Sequence, residues 1–264
     1  MSYDDYTFLK VEPGKDRVLR ITMNRPEKLN ASGEIGHGEQ GRIWREFDAD
    51  PDMNVALITG AGRAFSAGGD LEAGNGPLAT DMRDGRALVR NMIACRKPIV
   101  SAINGFAVGG GLAIALLADI SIASEKAVLM DGHLKIGLAA GDHAALVWPL
   151  AIGMARAKYH LLMCDRISGR EAAEMGLVAR CVPHEDLLPT AEEIAVQLAA
   201  GPQFAIQGTK AALNDWYLHN IGIFEHSLYV EALSATLPDA EAGREAFRAG
   251  STPEFPGAAH ADAY

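Results

Sequence analysis

Asn104-Gly105-Phe106-Ala107-Val108-Gly109-Gly110-Gly111 stands between two apolar runs, Ile99 to Ile103 before it and Leu112 to Leu117 after it. That order predicts a strand, a tight turn and the start of a helix. Glycine lets other atoms come close to the backbone. The first N–H groups of a helix have no partner inside it and can receive negative charge. A second turn of the same kind lies upstream, Arg63-Ala64-Phe65-Ser66-Ala67-Gly68-Gly69-Asp70. Two such turns can aim one N–H each at a single carbonyl oxygen, an oxyanion hole made of backbone. Either turn alone would be an ordinary strand-to-helix connection; the pair in this order points to chemistry.

Around these turns the first half alternates strand and helix patterns. Strands are expected at Arg17–Met23, Val55–Thr59, Ile99–Ile103 and Ile120–Ala123, and helices at residues 33–49 and 81–95. Gly33, Gly36, Gly38 and Gly41 weaken the first of those helices. The alternation implies βαβ units, a mostly parallel sheet and an α/β class. From about residue 143 helical patterns dominate, at 143–151, 154–163, 169–175, 185–200, 203–219 and 223–235. Those late helices need an apolar partner, and a neighbouring subunit would supply one. Looseness is expected for Gly74-Asn75-Gly76-Pro77 and for the tail from Gly250 onward.

The chain has 264 residues, of which 48% are hydrophobic, enough for one large core with a helical appendage. Its net charge of −10 argues against a general nucleic-acid or anionic-membrane binder. Cys95, Cys164 and Cys181 form no CxxC pair and are odd in number, so neither a disulfide framework nor a metal site is expected. The N-terminus shows no signal-peptide pattern, and no apolar run approaches the roughly 18 residues of a membrane span. The expected setting is the cytoplasm.

Four segments carry a resemblance to the crotonase superfamily, the enoyl-CoA hydratase/isomerase family. They are Asn24–Ala31, Arg63–Leu71, Lys97–Gly111 and Glu171–Val178, in that order. The resemblance implies a spiral of ββα units over residues 1–200. It implies a C-terminal helical oligomerisation region over 201–264, building a homotrimer or a dimer of trimers. It implies an acyl-CoA thioester as substrate, with coenzyme A entering as part of that substrate and no prosthetic group. By position, the oxyanion hole would be the N–H groups of Gly69 and Gly110. Ser66, Ala67, Gly68, Asp70 and Leu71 would meet the coenzyme A arm. Glu27 and Glu72 stand where many relatives carry lysine, so the phosphate grip would fall to Lys28, Arg63 or a neighbouring subunit's residue such as Lys210.

The resemblance breaks at the acid/base groups. Hydratases of the family use two glutamates; here those positions hold Ala113 and His133. Alanine moves no proton. His133 precedes Asp142 by nine residues, and the spacing resembles the 6-oxocamphor hydrolase branch, as does Val147-Trp148-Pro149. A histidine oriented by a carboxylate is an acid/base unit suited to neutral pH. His133 is therefore the expected proton carrier and Asp142 its orienting group. His143 is an alternative carrier, Asp131 a spare acid, and Trp148 a core residue before a substrate wall. His37, His160, His184, His219 and His226 fall in no motif. The expected activity is hydration of a 2-enoyl-CoA. The alternatives are retro-Claisen C–C hydrolysis of a β-diketone or β-oxoacyl-CoA, and a silent scaffold that binds coenzyme A esters. Acyl specificity would lie in residues 72–86.

Overall fold

The computed structural model describes residues 2–74 and 76–256. Asn75 and the tail from residue 257, two places where looseness is expected, lie outside the described residues.

A hairpin opens the chain: β1 (Leu9–Pro13) runs antiparallel to β2 (Val18–Met23). After α1 (Gly33–Ala49) the chain repeats a strand–strand–helix unit. The first unit is β3 (Val55–Gly60), β4 (Ala64–Ser66) and α2 (Leu78–Ala94). The second is β5 (Ile99–Ile103), β6 (Phe106–Val108) and α3 (Gly110–Leu117). The third begins with β7 (Ile120–Ser124) and β8 (Val128–Met130) and reaches α4 (Ala144–Ile152) through a 3-10 turn at His133–Ile136. In each unit the first strand joins a six-stranded sheet, ordered β1-β2-β3-β5-β7-β10, and the second joins a four-stranded sheet, β4-β6-β8-β9. Within both sheets, the strands of successive units pair in parallel. The ββα spiral expected from the sequence is the fold.

The remaining elements are α5 (Met154–Met163), β9 (Ile167–Ser168), α6 (Gly169–Met175), β10 (Arg180–Val182), α7 (Leu187–Ala199), α8 (Gln203–His219), α9 (Ile221–Ser234) and α10 (Pro238–Ala249). Ser168 and Glu171 form a capping box at the start of α6, and Gly176 closes it in the left-handed region. No helix among the described residues is long and apolar enough to cross a membrane.

The central parallel strands β3, β5 and β7 are buried on both faces, as parallel strands require, while the edge strands β1 and β10 are partly exposed. Alternate residues Val18, Val55, Leu57, Val100 and Ala102 pack on α7 through Leu187, Ala191, Ala195 and Ala199, a stripe repeating every four residues. The other face and the four-stranded sheet enclose the larger core with α1, α2 and α3. Phe224 and Leu228 of α9 belong to that larger core, so the C-terminal helices pack on the spiral itself. The glycines of α1 do not prevent the helix. A Cβ on Gly41 would stand 3.2 Å from the Asp84 carbonyl oxygen, so this glycine lets α2 lie close against α1. Tertiary packing there outweighs a local cost of about 1 kcal/mol per glycine.

Candidate active site

The two glycine turns leave the adjacent strands β4 and β6 side by side. A Cβ on Gly111 would fall 2.5 Å from the Ser66 Cβ, so the approach of one turn to the other depends on that glycine. Gly68 takes a φ of +85°, and a Cβ there would meet the Val108 carbonyl oxygen at 2.7 Å. The Ser66 hydroxyl donates to the Asn30 carbonyl (2.8 Å) and accepts from the Gly68 amide (3.1 Å). The Ala67 amide donates to the Leu29 carbonyl at 2.9 Å. Asp70 is buried; it accepts from the amides of Glu72 and Ala73 and from Arg25 Nη1 (2.7 Å). Burial works to raise its pKa, but the Ala73 amide and the Arg25 guanidinium outweigh that and hold it below the usual carboxylate range. Asp70 thus secures the turn.

Ala67, Gly68, Gly69, Leu71, Gly109 and Gly110 line a cavity of about 360 Å³. His133 stands on the same cavity, at the end of β8, with Asp131 two residues before it. Asp131 Oδ1 lies 2.9 Å from His133 Nδ1 and also accepts the His133 amide. The imidazole therefore carries its Nδ1 hydrogen toward Asp131 and turns Nε2 the other way. Asp142 Oδ2 is 3.9 Å from that Nε2, and Glu231 Oε1, arriving from α9, is 3.6 Å from it.

This arrangement differs from the expected dyad. Asp131 holds His133, while Asp142 Oδ1 binds His143 Nδ1 at 2.6 Å and only faces the free side of His133. His143 is fully buried, is not among the cavity-lining residues, and accepts the Trp148 indole N–H at 3.2 Å through Nε2. Both ring nitrogens of His143 are thus occupied within the protein. Trp148 is a core residue, 1% exposed.

Burial disfavours charge on His133, yet the carboxylates of Asp131, Asp142 and Glu231 outweigh it and hold the imidazole well above its ordinary pKa. Partial burial works against charge on Asp142 too, but the His143 and His133 rings keep its carboxyl well below the usual range. Burial, helped by Asp142, Asp81 and Asp131 and opposed by His133, pushes Glu231 up to about 8.

Two groups escape the sequence patterns. Glu231 sits in a helix with no motif. His37 projects from α1 between Gly36 and Gly38 and pairs through Nδ1 with Asp81 Oδ1 of α2 at 2.6 Å; both line the cavity. The Nε2 of His37 lies 4.0 Å from the point a Cβ on Gly110 would occupy. The close packing that the α1 glycines permit was the one available signal.

Ala113 is fully buried in α3 and lines no part of the cavity. Lys28 is exposed and paired with Glu72, Arg63 is exposed, and Leu71 lies at the cavity wall. Lys210 is buried; it binds Asp119 at 2.7 Å and the Lys97 carbonyl at 2.9 Å, which commits its ammonium within its own chain.

The family model described as enoyl-CoA hydratase/isomerase matches residues 14–255. The chain is 36% identical to (E)-benzylidenesuccinyl-CoA hydratase of Thauera aromatica over 240 residues, 89% of this chain and 92% of that protein. It is 32% identical to 1,2-epoxyphenylacetyl-CoA isomerase of Escherichia coli K12 over 263 residues, 96% and 99% of the two. Among solved structures, an enoyl-CoA hydratase from Mycobacterium avium subsp. paratuberculosis superposes with a TM-score of 0.88 at 30% identity, covering 94% of this chain and 98% of that one.

Proposed function

The chain belongs to the enoyl-CoA hydratase/isomerase family, and we propose that it adds water to a 2-enoyl-CoA with histidine–carboxylate pairs in place of two glutamates. The observation that carries this is the placement of His133 Nε2 on the same cavity as Gly69 and Gly110, with Asp131 fixing the ring from behind.

The thioester oxygen accepts the N–H groups of Gly69 and Gly110, donors set in place before negative charge develops. The coenzyme A arm passes along Ser66, Ala67, Gly68, Asp70 and Leu71, with Lys28 facing the phosphates once released from Glu72. Water attacks C3 of the enoyl group. Its proton goes to His37 Nε2, whose Nδ1 hydrogen is held by Asp81. As charge builds on the thioester oxygen, the His133 imidazolium gives its proton to C2. The product carries one more water than the substrate, and solvent returns the proton from His37 to His133. Asp131 and Asp142 keep His133 charged before the transfer.

Self-association to a homotrimer or a dimer of trimers belongs to the same proposal. Exposed Leu150, Met154, Leu162, Met163, Phe204 and Trp216 are apolar surface that a second copy would cover. A cytoplasmic setting fits the three free thiols.

The test is product analysis by mass spectrometry. Wild type and His133→Ala are each given enoyl-CoA, β-oxoacyl-CoA and free cyclic β-diketone substrates. A gain of one water with the thioester intact, lost in the variant, is the expected result. Chain cleavage or ring opening would move the activity to C–C hydrolysis. Binding of coenzyme A esters without turnover would leave a scaffold.

A further inference from the structure

One face of α2 looks into the acyl cavity. Asp81, Met82, Gly85, Leu88 and Val89 all line it, at the three- and four-residue spacings that bring residues to one stripe of a helix. Four of the five put a side chain on that stripe. Gly85, in its middle, leaves a gap.

Glycine inside a helix weakens it relative to alanine, so its presence asks for a reason. Close packing is the reason at Gly41 of α1, where a Cβ would crowd the Asp84 carbonyl oxygen at 3.2 Å. At Gly85 a Cβ would meet nothing within 4 Å, and its φ is not positive. Neither packing nor backbone conformation requires a glycine there. Gly208 and Gly222 have equally open surroundings, but both are exposed and neither lines this cavity. What Gly85 does is widen the chamber.

The gap is bounded along the helix by Met82 on one side and by Leu88 and Val89 on the other, each about one turn, or about 5.4 Å, away. A notch that short suits a compact, flat group better than an extended chain. Those three bounding side chains are apolar, and Met130 adds a second thioether to the same cavity. Thioethers make favourable contacts with aromatic rings. The cavity of about 360 Å³ is more than twice the roughly 150 Å³ that suffices to hold benzene, so a ring fits together with the enoyl carbons.

We propose that Gly85 sets the acyl specificity, and that the substrate is a 2-enoyl-CoA carrying an aromatic ring on C3, seated in the Gly85 notch. This rests on the acyl end of the thioester entering this cavity, as the proposed hydration requires.

The experiment compares 3-phenylpropenoyl-CoA, linear 2-octenoyl-CoA and 2-butenoyl-CoA on the wild type, Gly85→Ala and Gly85→Leu. In the wild type, kcat/KM for the phenyl ester is expected to exceed both linear esters by about tenfold. The phenyl-to-butenoyl ratio is expected to fall about tenfold in Gly85→Ala and about 100-fold in Gly85→Leu, since a methyl or methylene misplaced in a pocket is worth about 10- to 200-fold. Comparing esters within one variant cancels any general loss of activity. Gly85→Ala is also expected to raise the Tm by about 2–4 °C, because the glycine serves no packing in the fold. A ratio that stays within twofold of the wild type in both variants overturns the proposal. So does an octenoyl ester that is preferred to the phenyl ester, or a Tm lowered in Gly85→Ala. If no ester is hydrated, the proposed reaction fails separately, and calorimetric titration still decides: selective loss of the phenyl ester's affinity in Gly85→Ala upholds the notch, and equal losses across the three esters overturn it.

Discussion

Asp131 and His133, two residues apart, meet through Oδ1 and Nδ1 at 2.9 Å, with the Asp131 side chain wholly buried behind the ring. The carboxylate that fixes the proposed proton carrier is therefore the near neighbour in sequence, and Asp142 secures His143 instead. Asp131→Asn keeps the shape but can no longer select the tautomer. It is expected to lower kcat by roughly 10²- to 10³-fold, with KM within a few-fold. Asp142→Asn should cost less. Steady-state kinetics of the two variants checks the order, and a larger loss in Asp142→Asn would reverse the assignment.

Stability should fall as the solution becomes alkaline. Glu231 is pushed from an ordinary 4.5 up to about 8 in the folded protein, so folding favours its protonated form. Its contribution is complete below about 4.5 and is lost as the pH rises through about 8. His133, raised by its three carboxylates, acts with the same sign. Asp142, held low, acts oppositely: its contribution is present above the ordinary carboxylate range and is lost toward strong acid. Thermal unfolding from pH 5 to 9 is expected to show a declining Tm in the wild type and a shallower decline in Glu231→Gln, whose amide cannot ionise. Parallel curves would refute this.

Gly111→Ala would place a methyl group 2.5 Å from Ser66 Cβ and 2.7 Å from the Ser66 carbonyl oxygen. The two turns must part. Overpacking of this kind costs about 1–3 kcal/mol, and separated N–H groups would lower kcat by about 10²-fold or more. Urea unfolding and kinetics on one preparation measure both.

Trp148→Phe removes the indole N–H that His143 Nε2 accepts at 3.2 Å and leaves a buried acceptor unmet. A loss of about 1–3 kcal/mol is expected. Activity should change little beside the His133 variants, because His143 does not face the cavity. A collapse of kcat with full stability would restore His143 to the chemistry.

The spiral was legible because each unit writes its strands as short apolar runs and its turns as glycines. The order of α2 to α9 follows the sequence pattern within a few residues at each end. Short strands such as β9, two residues long, carry no periodicity of their own and exist by pairing. The last helix, α10, escaped because its alanines and glycine make a weak apolar stripe. Its packing is specific all the same: a Cβ on Gly243 would stand 2.3 Å from the Ile136 carbonyl oxygen. Within the site, Gly69, Gly110 and His133 were legible because a motif fixes each by position. Glu231 and the His37–Asp81 pair were not, since long-range folding alone brings them to the cavity, across the α1–α2 contact and from a helix about a hundred residues beyond His133.

Glu231 of α9 and Phe247 of α10 line the same cavity as Gly69 and Gly110. A chain growing on the ribosome therefore holds both glycine turns long before it holds a closed pocket. The wall is finished only once α9 and α10 have emerged, so a product truncated or stalled before them retains the glycines yet lacks the chamber those helices complete.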